Sequence, residues 1–184
     1  MKRLFIAVKV EAGDTMKRII LSYQKGLARE SIKWTNPENI HVTLVFLGDT
    51  EQMLIDPIRS MLEEKCGRTG KFELLIRGSG VFRNLGDPRI IWMGLEPNEK
   101  LRRLNASIVY GLKELKFKID DRPYNPHLTI GRIKHIKDKD ALKTLTEKYH
   151  NSEIQRVLVN EVILYESILL QTGPVYKSLA QISL

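Results

Sequence analysis

The feature that most constrains this chain is a repeat. His41-Val42-Thr43 recurs as His127-Leu128-Thr129, 127 − 41 = 86 positions later in a chain of 184 residues. Each copy follows a turn-forming segment, Trp34-Thr35-Asn36-Pro37-Glu38-Asn39 in the first case and Asp121-Arg122-Pro123-Tyr124-Asn125-Pro126 in the second. Proline holds the residue before it in extended backbone, and asparagine favours turn geometry. Val42 and Leu44, like Leu128 and Ile130, alternate with the His and Thr, which is the period of a half-buried strand. Such a strand buries its apolar side and turns His and Thr outward together, whereas a helix would splay residues two apart by about 200°. Chance would give two of the four histidines a Thr two places on in roughly one per cent of shuffles, so the spacing argues for a duplicated unit.

The rest of the chain keeps the same rhythm. Strands are predicted over 2–10, 41–47, 71–78 and 89–95, and helices over 15–30, with Asp14 as its cap, and 51–65. The second half repeats the pattern, with helices over 98–115 and 138–150 and strands over 127–133, 155–165 and 174–183. The expected architecture is α+β: two pseudo-symmetric lobes, each an antiparallel sheet with helices on its outer face, around a central cleft. Residues 1–184 read as a single bilobal domain.

Composition sets the limits. Apolar residues make up 42% of the chain, enough for a packed core and against disorder. The longest apolar run, Leu4-Phe5-Ile6-Ala7-Val8, falls far short of the roughly 20 residues of a membrane span. It is also too short for a signal core and is followed at once by Lys9 and Glu11, so the N-terminus reads as mature and cytoplasmic. Cys66 is the only cysteine and can form neither an internal disulfide nor a thiolate metal cluster. No heptad or long apolar edge is evident, and a monomer is the default. The net charge of +8 favours a polyanionic partner. Residues 1–34 carry +5 of it, eight Lys/Arg against three acids, with Lys17, Arg18 and Lys25 on the first helix.

Two histidines facing one phosphate suit paired acid–base catalysis, because imidazole titrates near pH 6.5 and one ring can be neutral while the other is charged. The hydroxyls of Thr43 and Thr129 can donate to phosphate oxygens where charge develops. His135 and His150 lack the pattern and are assigned to the surface. No Asp, Glu or Cys completes a ligand spacing around the motif histidines, and no phosphate-binding Gly-x-x-x-x-Gly-Lys-Ser/Thr loop occurs. No metal and no cofactor are therefore expected.

At these residues the chain resembles the 2H phosphoesterase superfamily, and within it the RNA 2′,3′-cyclic phosphodiesterases, historically called 2′-5′ RNA ligases. The resemblance extends to Arg3-Leu4-Phe5-Ile6-Ala7-Val8, the block from Trp34 to Gly48, Gly80-Val81-Phe82, Arg89-Ile90-Ile91-Trp92, Pro126 to Arg132, Leu164-Tyr165-Glu166-Ser167 and Gly173-Pro174-Val175-Tyr176. It leads one to expect Pro at position 83, where this chain has Arg83. The resemblance implies metal-independent hydrolysis of RNA 2′,3′-cyclic phosphate ends, tRNA fragments among them, to 2′-phosphates. His41 would be the proton donor and His127 the proton acceptor, an assignment that pseudo-symmetry leaves open to a swap. It also permits the reverse reaction, joining an RNA hydroxyl to a cyclic phosphate without ATP. Arg132 would hold the phosphate, with a plain surface arginine as the alternative. Phe46 and Tyr124 are candidates for stacking on a base, with core or turn packing as the alternative. Two other functions stay open: a non-catalytic RNA-binding module that uses the basic N-terminal third, and a phosphodiesterase for a small cyclic nucleotide such as an ADP-ribose cyclic phosphate.

Overall fold

The computed structural model describes residues 1–120, 122–171 and 173–184. Asp121, the first residue of the second predicted turn, lies outside the described residues. The elements in chain order are β1 (Lys2–Lys9), α1 (Asp14–Gly26), β2 (Ser31–Trp34), β3 (His41–Thr50), α2 (Ile55–Cys66), β4 (Phe72–Phe82), β5 (Ile90–Leu95), α3 (Glu99–Glu114), β6 (His127–His135), α4 (Lys139–Tyr149), β7 (Glu153–Val159), β8 (Glu161–Leu170) and β9 (Gly173–Ser183).

The strands form one curled antiparallel sheet in the order β7-β4-β5-β6-β3-β1-β8-β9, with β2 also paired to β6. Its two lobes interleave the sequence halves. Strands β1, β3, β8 and β9 form one lobe and carry α2 and α3, while β2, β4, β5, β6 and β7 form the other and carry α1 and α4. Each helix thus packs on a helix from the other half of the chain. The strand predicted over 155–165 is two strands in different lobes: β7 pairs with β4, and β8 crosses to pair with β1. Strand β2 was not foreseen, because the helix over 15–30 was expected to run directly into a turn.

The helices obey local chemistry. Met16, Ile19, Ile20 and Tyr23 form the buried stripe of α1. Asp14 is its first residue and not its cap. Gly13 stands at the cap without a side-chain bond, and Asp14 acts as an anion on the positive end of the helix dipole. Asn98 and Asp138 cap α3 and α4 by accepting from the amides of Leu101 and Ala141. Arg83 has φ 71°, a conformation closed to proline, so the turn in this shape cannot carry proline at that position.

The lobes meet where β3 and β6 pair, at Val42 opposite Leu128. These are the middle residues of the two motifs. The antiparallel register sets His41 level with Thr129 and Thr43 level with His127, so a pseudo-twofold axis passes through the Val42–Leu128 pair. Val42, Leu44, Leu128 and Ile130 are all buried with residues of the four helices in one core. The opposite face of the sheet lines the cleft.

Candidate active site

Simple alternation would place residues 41, 43, 45 and 47 on the cleft face. Matching β-bulges change this. Opposite β1 the register steps from Ala7↔Thr43 to Ile6↔Val45, passing over Leu44. Opposite β5 it steps from Trp92↔Thr129 to Ile91↔Gly131, passing over Ile130, which is Leu44 plus 86. Each extra residue shifts the phase of its strand. Leu44 and Val45 are both buried and Phe46 is exposed; Ile130 and Gly131 are both buried and Arg132 is exposed. Phe46 and Arg132 therefore stand at equivalent places, five residues past each histidine, and both line the cleft.

The two imidazoles are held alike. His41 Nδ1 lies 2.6 Å from the carbonyl of Asn39, and His127 Nδ1 lies 2.9 Å from the carbonyl of Asn125. A carbonyl only accepts, so both rings carry hydrogen on Nδ1 and leave Nε2 for the cleft. The turns before each strand aim these carbonyls. Asn36 Oδ1 accepts from the amide of Glu38, and Asn39 Nδ2 donates to the carbonyl of Pro174 at 2.9 Å, which ties the first turn to the β8–β9 hairpin. Aromatic rings brace each imidazole. Phe5 and Tyr176 lie 5.0 and 5.3 Å from His41, the tyrosine edge-on, and Phe82 lies 4.6 Å from His127, also edge-on.

Both histidines titrate below their ordinary value of 6.5. Burial is the main cause, since it penalises the charged ring. The carbonyls of Asn39 and Asn125 oppose it, and the Arg132 guanidinium adds to it at both rings. Arg132 is thus near enough to act electrostatically on both imidazoles.

The cleft has a volume of about 620 Å³. It brings together His41, Thr43, Phe46, His127, Thr129 and Arg132, and adds Arg3, Lys33, Trp34 and Ser167. Among the described residues, no carboxylate lines it, and no ion pair engages Arg3, Lys33 or Arg132. Tyr124 is the exception among the predicted residues: it does not line the cleft. It packs against the core and its hydroxyl donates to the Thr43 carbonyl at 3.2 Å, so it steadies β3 and offers no face to a base. Lys17, Arg18 and Lys25 lie on α1, outside the cleft lining. The N-terminal third brings only Arg3 and Lys33 of its cations to the cleft. His135 and His150 are exposed, as expected. Among the described residues, no group of three or more His, Cys, Asp or Glu is placed to hold a metal ion. No helix of the described residues is long and apolar enough to cross a membrane.

Comparison with known proteins places this architecture. A family model described as the 2′-5′ RNA ligase superfamily matches residues 24–168, which include both motifs. The RNA 2′,3′-cyclic phosphodiesterase of Methanothermobacter thermautotrophicus is 34% identical over 176 residues, covering 95% of this chain and 94% of that one. Its counterpart from Archaeoglobus fulgidus is 34% identical over 178 residues, covering 96% and 97%. A protein of Thermus thermophilus has a solved structure that superposes with a TM-score of 0.76 at 27% identity, covering 99% of this chain and 97% of that chain. E. coli LigT complexed with 3′-AMP superposes with a TM-score of 0.77 at 20% identity, covering 100% and 98%, a likeness of fold. The two-lobed sheet that surrounds a central cleft is thus a shared architecture, matched over nearly the full length of the chains compared. The chain belongs to the 2′-5′ RNA ligase superfamily.

Proposed function

We propose that this chain hydrolyses RNA 2′,3′-cyclic phosphate ends to 2′-phosphates. One observation carries the reading: two histidines, each donating from Nδ1 to a turn carbonyl, flank the lobe junction and face one cleft that, among the described residues, three cations and no carboxylate line. The cyclic phosphate sits between the two Nε2 atoms. Following the family resemblance, His127 accepts a proton from water as its oxygen attacks phosphorus, and His41 gives a proton to the departing O3′. The P–O3′ bond breaks, the 2′-phosphate remains, and the two rings exchange charge states over the cycle. Thr43 and Thr129 donate to the non-bridging oxygens, and Arg132 neutralises their charge. Phe46, exposed at the rim, offers a face to the terminal base.

The chemistry needs no metal or ATP, and the same groups run in reverse when an RNA hydroxyl replaces water. The same reading takes residues 1–184 as one bilobal domain that acts as a cytoplasmic monomer on RNA fragments, those of tRNA included. His41→Ala and His127→Ala should each lower kcat/KM on such an RNA by about 10²- to 10⁴-fold, the usual worth of a positioned acid or base, with thermal unfolding little changed. Full activity in both variants would remove the reading.

A further inference from the structure

The cleft holds more positive charge than one cyclic phosphate requires. That group is a monoanion, and Arg132 beside the two imidazoles is its natural counter-charge. Arg3 and Lys33 also line the cleft, and among the described residues no carboxylate lines it with them. Such a surplus matches a ligand with more than one phosphate. Arg3 sits over the Phe46 ring, 5.0 Å from its centroid. Lys33 stands apart from that pair. It lies on β2 opposite Arg132 of β6. Its amine end reaches the β8–β9 turn of the other lobe, since a Cβ built on Gly173 would lie 3.7 Å from Nζ.

Trp34, its neighbour in β2, is half-buried and also lines the cleft. The back of the indole closes onto β6 at Gly131, where a Cβ would come within 3.0 Å of the ring. The indole packs partly against the core and still lines the cleft, so its free side can stack on a base, and the adjacent ammonium suits a phosphodiester. Lys33 and Trp34 thus bring a cation and an aromatic ring to the cleft from the second lobe, as Arg3 and Phe46 do from the first.

We propose that Lys33 and Trp34 form a second nucleotide subsite. It holds the base and the 3′–5′ phosphodiester of the nucleotide that precedes the cyclic-phosphate terminus, so the cleft selects RNA ends over cyclic mononucleotides. This subsite rests on the cyclic-phosphate reading of the two histidines. Its test compares kcat/KM for a dinucleotide ending in a 2′,3′-cyclic phosphate with that for the cyclic mononucleotide of the same terminal base. The enzymes are the native protein, Lys33→Ala, Trp34→Ala, Lys33→Arg and Trp34→Phe.

The native protein should favour the dinucleotide by about tenfold or more, the scale of one stacked base. Each alanine variant should lose about tenfold on the dinucleotide and less than about threefold on the mononucleotide, while the arginine and phenylalanine variants recover most of the loss. The salt dependence of kcat/KM should be steeper for the dinucleotide by roughly 0.7 in logarithmic slope, and Lys33→Ala should abolish that difference. Equal rates on the two substrates in the native protein would overturn the subsite. So would alanine variants that lower both rates in parallel, or that leave the preference intact. A native protein that turns over neither substrate would overturn the cyclic-phosphate reading itself, and the subsite with it.

Discussion

At the scale of single residues, the site turns on how burial and one guanidinium set two imidazoles. Activity in the free enzyme needs one neutral ring and one charged ring. The base is fully neutral only above its own pKa, and the acid loses its proton above its own. Both lie below 6.5, so kcat/KM should follow a bell whose optimum falls on the acid side of 6.5. Arg132→Gln removes a charge that pushes both values down, so the optimum should move to higher pH. The same change should lower kcat/KM by roughly 10- to 100-fold, the worth of a charge-assisted hydrogen bond. A pH–rate profile of both proteins checks this, and an optimum displaced to lower pH would contradict it. The two histidines and two threonines were legible because their spacing repeats. Phe5, Phe82 and Tyr176 were not, because an aromatic residue in a strand gives the same signal whether it fills a core or braces an imidazole.

Elements show what period alone misses. Alternation predicts the wrong residues beyond Thr43 and Thr129, because the first bulge has no sequence mark, Leu44 looking like an ordinary strand residue, and the second shows only as Gly131 beside Ile130. Only the family resemblance picked out Phe46 and Arg132, and the bulges explain why they reach the cleft. Strand β2 escaped notice because four residues are too few to show a period. The irregularity in β4 is easier to read, since it falls at a glycine. Gly78 has φ 71°, and a Cβ there would collide with the carbonyl oxygen of His150. Register shifts fall here on both edges of the strand, between Ile76 and Ser79 opposite β5 and between Ile76 and Arg77 opposite β7. Gly78→Ala should cost about 2 kcal/mol or more, lowering Tm by roughly 4–8 °C in a chain of this size. Differential scanning calorimetry reads that loss directly; an unshifted Tm would show that β4 tolerates a side chain there.

For the whole molecule, the duplication is real but its halves are interleaved. The 86-residue repeat correctly places both motif strands at one axis. It does not show that β8 crosses back to β1, because the short interval at Asn160 between β7 and β8 carries no strong breaker such as Gly or Pro. Charge was similarly ambiguous at this scale. The excess in the first 34 residues suggested an RNA-binding face, yet Lys17, Arg18 and Lys25 lie on α1, on the outside of the second lobe. Reversing Lys17, Arg18 and Lys25 together to glutamate should therefore change kcat/KM on a short RNA by less than about threefold at roughly 0.15 M salt, where exposed charges are screened beyond about 8 Å. A loss of tenfold or more in steady-state assays would return the basic surface to the substrate path.

Conversion of a short RNA ending in a 2′,3′-cyclic phosphate, assayed in EDTA with products resolved by phosphate position, bears most directly on paired-histidine hydrolysis. A 2′-phosphate product formed at an undiminished rate is the expected result, with His41→Ala and His127→Ala nearly inactive in the same assay. A 3′-phosphate product, or turnover that stops in EDTA and returns with added metal ion, would contradict it.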